Sequence, residues 1–267
     1  MHGNLFASAE ACLECADVDE KLARTDAVAR AFSGGTLETV DQDPPKPIGK
    51  PGRPERPLLV DPRHVPRRGL GSEQGRAALI HAVAHIEFNA INLAWDAVYR
   101  FRGMPPDYYR DWIGVAVDEA RHFRLLVERL RQLGHAYGDF DAHDGLWDMA
   151  VKTAASCLQR MALVPRVLEA RGLDVTPGMI ARLRSAGDGD SVRILELILR
   201  EEVAHVAAGS RWFAWCCGRE QLEPQATFCE LLRLHAYGAI KGPLNGDARL
   251  AAGFTSAELA HLMSLAA

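Results

Sequence analysis

The chain lacks a strong excess of charge of either sign, since 31 Lys and Arg residues stand against 35 Asp and Glu residues, a net charge of −4. Its basic residues are spread along the sequence, so no basic field suited to nucleic acid is evident. It has no apolar run of 18 residues and no signal peptide, which argues against membrane insertion and export. Its six scattered cysteines lack the spacing of a disulfide scaffold. We therefore expect a cytoplasmic protein, and 48% hydrophobic residues can form a substantial core.

One pattern of glutamate and histidine occurs twice in the chain. A single glutamate is followed by Glu-x-x-His after 32 positions in the first copy and 33 in the second. The copies are Glu87, Glu119 and His122, and Glu169, Glu202 and His205. Four carboxylates and two imidazoles are the ligands of dinuclear metal sites in four-helix bundles, where each helix pair supplies one Glu and one Glu-x-x-His. The pattern therefore predicts an all-α protein with a ferritin-like four-helix bundle and a di-metal centre.

The apolar residues around each candidate ligand recur at steps of three and four, as on the buried face of a helix. Glu87 shares such a stripe with Ile80, Val83, Ile91 and Val98. A carboxylate buried without a partner costs on the order of several kcal/mol, so it protonates or binds a cation. We predict that two metal ions resolve this conflict. Glu119 and Glu202 are expected to bridge them because each lies one turn from a histidine, with Glu87 and Glu169 as terminal ligands.

A third Glu-x-x-His, Glu258 with His261, has a different explanation. Thr255 lies three residues before Glu258, which is the spacing of a capping box at the start of a short helix. This copy therefore requires no metal. Similarly, Cys12 and Cys15 have no second Cys-x-x-Cys to complete a rubredoxin-type iron site, which argues against a rubrerythrin.

The residues next to the ligands extend the pattern. Asp118-Glu119-Ala120-Arg121-His122 matches the Asp/Glu-Glu-x-Arg-His motif of oxygen-activating di-iron proteins, and Glu201 precedes Glu202 in the same way. Metal-bound histidines usually donate their second ring N–H to a carboxylate or carbonyl. Asp118 and Glu201 are candidates for that role, or else lie on solvated helix surface. Arg121 either pairs with a carboxylate of another helix or is exposed.

The chain divides into three predicted regions. Residues 1–71 contain two short helices and a strap with eight prolines, which is expected to be extended. Residues 72–218 form the bundle, and residues 219–267 form a C-terminal helical extension packed on it. The bundle helices are predicted at 75–102, 107–133, 144–171 with a bend at Pro165, and 190–218. A short helix capped by Thr176 and Pro177 is expected between the last two.

At this point the sequence resembles an uncharacterised bacterial ferritin-like family that is grouped near the di-iron hydroxylases of tRNA side-chain groups. The resemblance rests on Ala84–Glu87, Asn92–Asp96, Asp118–His122, Ala142–Trp147, Leu168–Asp174, Lys241–Pro243 and Ala251–Phe254. It implies that the six residues of the repeated pattern are ligands. Members commonly carry an acidic residue at position 92, where this chain has Asn92. Nearby His81 and His85 are interpreted as hydrogen-bonded structural histidines, with a place in a substrate channel as the alternative.

The ligand set predicts a non-haem di-iron oxygenase or oxidase, with O2 as co-substrate and manganese as the alternative metal. Its expected partners are an electron-donating reductase and a substrate that is a small molecule or a modified nucleoside. Two other functions remain open. A ferroxidase would turn over iron without an organic substrate, although the strap and C-terminal helices suit a cage poorly. A metal-stabilised binding module would consume no oxygen.

Overall fold

The computed structural model describes residues 3–40, 43–66, 68–236, 238 and 240–266. Most of these residues are helical, so the predicted all-α class is confirmed. Within them, strands are limited to a short parallel pair, β1 (Gly3–Asn4) with β2 (Leu37–Glu38), which the sequence did not predict. The chain forms two compact units, Met1–Val151 and Lys152–Ala267.

The first unit is built around a pair of long helices, preceded by two shorter ones. Its helices are α1 (Leu5–Glu14), α2 (Val18–Ser33), α3 (Glu73–Arg100), α4 (Pro106–Gln132) and α5 (Gly145–Lys152), the last of which ends just past Val151. A five-residue connection joins α3 to α4, and the two pack along each other. The first four helices agree closely with the prediction.

Helix α3 is the core helix of this unit. Ser72 starts it by accepting a hydrogen bond from the Gly75 N–H. The helix is long and apolar enough to cross a membrane by composition, but 78% of its most apolar stretch is buried inside the structure. That degree of burial is typical of a helix at the centre of a packed core.

The proline-rich strap is not helical, as predicted, apart from one turn of 3₁₀-helix at Pro62–His64. It is fixed to the first unit by hydrogen bonds. The Gly52 N–H donates to the Leu13 carbonyl at 2.7 Å, and Trp147 Nε1 donates to the Gly49 carbonyl at 3.0 Å. Positions 42 and 67 of the predicted strap lie outside the described residues.

The second unit is also helical. Its elements are α6 (Cys157–Leu163), a π-helix (Val164–Glu169), α7 (Ala170–Ser185), α8 (Gly189–Glu220), α9 (Pro224–His235), α10 (Gly246–Ala251) and α11 (Ser256–Ala266). Helices α6 and α7 and the π-helix all pack against α8. The sequence did not predict α10.

The prediction of one continuous helix from 144 to 171 was wrong. The chain leaves helical geometry between α5 and α6, where Ser156 caps the new helix by accepting from the Gln159 N–H. It changes again at Pro165, whose missing N–H removes an α-helical hydrogen bond. The following turn is wider, since the Ala170 N–H bonds to the carbonyl of Pro165, five residues earlier.

The predicted start of a helix at Thr176 and Pro177 was also wrong, because Pro177 lies inside α7. A proline in a helix leaves the carbonyl four residues before it without its usual donor. Here that carbonyl belongs to Leu173, and the Asn245 side-chain Nδ2 donates to it at 3.1 Å. A residue distant in sequence therefore satisfies the group that Pro177 leaves open.

Candidate metal centre

The first copy of the glutamate–histidine pattern comes together in the first unit. Glu87 lies on α3, and Glu119 and His122 lie one turn apart on α4. Their exposed fractions are 4%, 1% and 0%. His122 Nδ1 lies 3.1 Å from Glu87 Oε2 and 3.6 Å from Glu119 Oε2, and the ligand atoms of all three residues lie within 4.8 Å of one another.

Burial makes this cluster electrostatically costly. It raises the pKa of Glu87 to about 8, and the negative charge of Glu119 adds to the effect. Burial alone would lower the pKa of His122, but hydrogen bonds to Glu119 and Glu87 and their charges together raise it to about 11. A proton on His122 thus partly balances two carboxylates, in the position where a metal ion would supply more positive charge.

The donor set fits a metal ion by its chemistry. Carboxylate oxygens and imidazole nitrogens suit iron and manganese, and carboxylates also neutralise the charge of a divalent ion. Ligands for one ion must lie close together, and Glu87, Glu119 and His122 do so in a buried position. Binding would displace the proton from His122.

Two other predicted residues lie near this cluster in sequence. Asp118 and Arg121 form an ion pair with each other at 2.9 Å, and their side chains are about two-fifths exposed. Both alternatives given for Arg121, pairing with a carboxylate of another helix or exposure to solvent, stay predictions. The proposed role of Asp118 beside a metal-bound histidine stays a prediction.

His81 and His85 are buried and hydrogen-bonded. His81 Nε2 accepts from the Gly138 N–H at 2.9 Å, and His85 Nδ1 lies 2.9 Å from the Tyr137 hydroxyl. Burial lowers the pKa of each to about 4, so both are neutral near pH 7. These contacts agree with their interpretation as structural histidines.

Asn92 is paired with a cation that the sequence did not reveal. Its Oδ1 accepts a 2.6 Å hydrogen bond from Lys21 Nζ, which also donates to the carbonyls of Cys12 and Leu13. Lys21 is fully buried, and burial lowers its pKa to about 8. A neutral amide therefore lies beside a buried amine at this position.

The second copy of the pattern lies in the second unit. Glu202 and His205 are one turn apart on α8, with Glu202 Oε1 3.2 Å from His205 Nδ1. Glu169 ends the π-helix and is half-buried, with Oε2 shielded from solvent. Glu201 is half-buried on α8. Within the described part of this unit, no three such ligand atoms gather as they do in the first.

The third Glu-x-x-His copy has the capping box that the sequence predicted. The Thr255 N–H donates to Glu258 Oε2 at 2.9 Å, and the Glu258 N–H donates to Thr255 Oγ1 at 3.1 Å. The sequence missed a second contact, an ion pair between Glu258 Oε1 and Arg166 at 2.8 Å. The sequence does contain a signal for this contact, because Arg166 is a single cation within the apolar run 161–168 and a buried charge requires a partner.

Comparison with known proteins supplies a family. A sequence model described as "Protein of unknown function (DUF455)" matches residues 14–260. An uncharacterized protein of Haemophilus influenzae is 48% identical over 213 residues, which cover 77% of this chain and 74% of that protein. No solved structure matches the chain. The family match spans most of the sequence, and the chain therefore belongs to the DUF455 family.

Proposed function

We propose that this protein is a ferritin-like di-iron carboxylate protein that activates dioxygen to hydroxylate or oxidise an organic substrate. The observation that carries the proposal is the buried cluster of Glu87, Glu119 and His122, with ligand atoms within 4.8 Å of one another. Buried carboxylates at such distances repel each other and are stabilised by a cation. A metal ion satisfies the cluster better than a proton shared with His122.

The second metal ion is inferred from the repeated sequence. Glu169, Glu202 and His205 repeat the residue types and the spacing of the first copy. We assign both copies to one dinuclear centre, as in other carboxylate bundles where two helix pairs supply equivalent ligands. Manganese is the alternative metal for the same donors.

The chain's own residues have distinct roles in this proposal. Glu119 and Glu202 would each hold both metal ions, and Glu87 and Glu169 would each hold one. His122 and His205 would bind as neutral imidazoles, so loading the site would release the proton of His122. Two reduced iron ions would supply the electrons that activate dioxygen for transfer of oxygen to, or removal of hydrogen from, the substrate. The low exposure of the first cluster keeps bulk water from that reaction.

The substrate class is proposed from the family resemblance. Because the resemblance is to a family grouped near the hydroxylases of tRNA side-chain groups, modified nucleosides are the first substrates to screen. With a net charge of −4 and dispersed basic residues, the chain favours small molecules over a polynucleotide. An external electron donor is needed for repeated turnover.

Oxygen consumption tests the proposal. Protein loaded anaerobically with Fe(II) is exposed to air, and dioxygen uptake is recorded for the wild type, for Glu119→Gln and for Glu128→Gln. Glu128 lies on the same helix but is exposed, so Glu128→Gln is a matched control. We expect uptake in the wild type and Glu128→Gln and almost none in Glu119→Gln. Equal uptake in all three would refute the proposal.

The same assay separates an oxygenase from an iron-storage protein. An oxygenase stops consuming dioxygen once its bound iron is oxidised, unless an electron donor is supplied. A ferroxidase continues for as long as Fe(II) is added. Sustained uptake with Fe(II) alone would move the assignment to iron handling.

A further inference from the structure

The segment that carries Glu169 is held by a buried charge. Arg166 lies in the π-helix, three residues before Glu169, and is 2% exposed. Its Nη2 donates to Glu258 Oε1 at 2.8 Å. Glu258 is also almost completely buried, and its second oxygen caps α11 through the Thr255 N–H. One carboxylate thus joins the start of α11 to the π-helix.

Three aromatic rings surround the rest of the guanidinium. The Arg166 Cζ atom lies 4.8, 4.1 and 4.6 Å from the ring centroids of Phe213, Phe228 and Phe254. Among the described residues, Arg166 Nε and Nη1 have no hydrogen-bond acceptor. Cation–π contacts take that place, and they restrict where the guanidinium can lie.

A second contact fixes the adjacent residue. Gly209 on α8 lies so close to Pro165 that a Cβ atom there would overlap the proline ring. Gly209 is four residues after His205, so the two share one face of α8. Pro165 is therefore held against the helix that carries Glu202 and His205, while Arg166 is held by Glu258.

A gain in stability does not explain why the ion pair of Arg166 with Glu258 is buried, because burying charged groups costs free energy. A buried ion pair can often be replaced by apolar residues of similar volume without loss of stability, because desolvation offsets the attraction of the charges. A directional ion pair does, however, fix geometry. The π-helix is also a less common geometry than the α-helix and frequently occurs at functional sites.

We propose that Arg166 and Glu258 are positioning residues that fix the π-helix so that Glu169 is presented as a metal ligand. The inference rests on the proposed function and concerns the half of the centre that Glu169 serves. Glu258 is thus not a ligand, and it influences metal binding through Arg166.

Titration with Co(II), whose visible absorption reports ligand geometry, tests this role in the full chain. We expect the wild type to bind two Co(II) ions. Glu258→Gln retains an acceptor for the helix cap but loses the charge. In this variant the Co(II) ion served by Glu169, which is the more weakly bound one, should bind at least tenfold less tightly than in the wild type. Its visible absorption spectrum should also change. The first ion, held by Glu87, Glu119 and His122, should bind unchanged.

Asp174→Asn is the matched control. Asp174 forms a buried ion pair with Arg249 at 2.6 Å in the same unit, and Arg249 also lies over Phe254. Asp174→Asn therefore removes a comparable buried charge without touching Arg166. We expect both Co(II) affinities to stay within twofold of the wild type.

The double variant Arg166→Met with Glu258→Gln separates positioning from folding, because it keeps the acceptor for the helix cap. It buries no charge, so it should keep a melting temperature near that of the wild type and still show the tenfold weakening. If Glu258→Gln or the double variant bound both Co(II) ions with wild-type affinity, the positioning role would be refuted and the proposed function would stand. Equal weakening in Asp174→Asn would do the same. A wild type that binds no Co(II) would overturn both this inference and the proposed function.

Discussion

At the scale of single residues, the central feature is the burial of two carboxylates and a histidine with ligand atoms only a few ångströms apart. Leaving such groups without a compensating charge costs on the order of several kcal/mol. The raised pKa of Glu87 reflects this cost, and it is caused mainly by burial and secondly by the negative charge of Glu119. A bound metal ion would convert the same groups into a source of stability.

Metal should therefore stabilise the protein through these residues. At a free metal concentration 100-fold above Kd, binding to the folded state adds about 2.7 kcal/mol to the free energy of unfolding. We expect the wild-type melting temperature to rise with Fe(II) or Mn(II) and that of Glu119→Gln to rise far less. Differential scanning fluorimetry under argon measures both, and identical shifts would contradict the assignment of Glu119.

Lys21 provides a pH-dependent prediction. Burial lowers its pKa to about 8 from 10.5, so between these values the unfolded chain binds more protons than the folded one. The contribution of Lys21 to stability therefore rises with pH across this window, by about 3 kcal/mol in total, and is constant below it.

Asn92→Asp should remove most of that rise. A carboxylate beside Lys21 Nζ, where Asn92 Oδ1 now lies at 2.6 Å, raises the pKa of the lysine towards its ordinary value. Urea unfolding from pH 7 to 10 measures the effect. Parallel profiles for the wild type and Asn92→Asp would show that Lys21 is not the titrating group.

At the scale of elements, regular patterns were predictable and local exceptions were not. The apolar periodicity of α3 and α4 and the prolines of the strap led to correct assignments. The prediction of the third bundle helix failed because its apolar periodicity continues across the break at Ser156. There the side chain of Ser156 caps a new helix. Pro177 was misread because the group that makes it tolerable, Asn245, lies about 70 residues away in sequence, and long-range partners leave no local signal.

The contact between the π-helix and α8 can be tested with glycine substitutions. Gly209→Ala places a methyl group against Pro165 and should lower the free energy of unfolding by roughly 1–3 kcal/mol. Gly172→Ala, inside α7 with open space around the added methyl, should raise it by about 0.5–1 kcal/mol. Chemical denaturation gives both values, and effects of the same sign would contradict the close packing of Gly209 against Pro165.

At the scale of the whole molecule, each of the two units carries one copy of the glutamate–histidine pattern, and the copies lie on different local structures. The first copy lies on two regular helices, and the second lies on a π-helix and α8. Sequence spacing predicts all six residues as ligands, but only the structure showed that Glu169 ends a π-helix held by the buried ion pair of Arg166 with Glu258. The structure divides into two compact units, and the three predicted regions with boundaries after residues 71 and 218 stay a prediction.

Metal content is the most direct test of the account. The full chain is purified without oxygen, and its metals are counted by mass spectrometry against protein concentration. We predict two iron or manganese ions per chain for the wild type, with a large loss in Glu119→Gln. Zinc, or no bound metal, in the wild type would contradict the claim that Glu87, Glu119 and His122 are buried together to hold a redox metal.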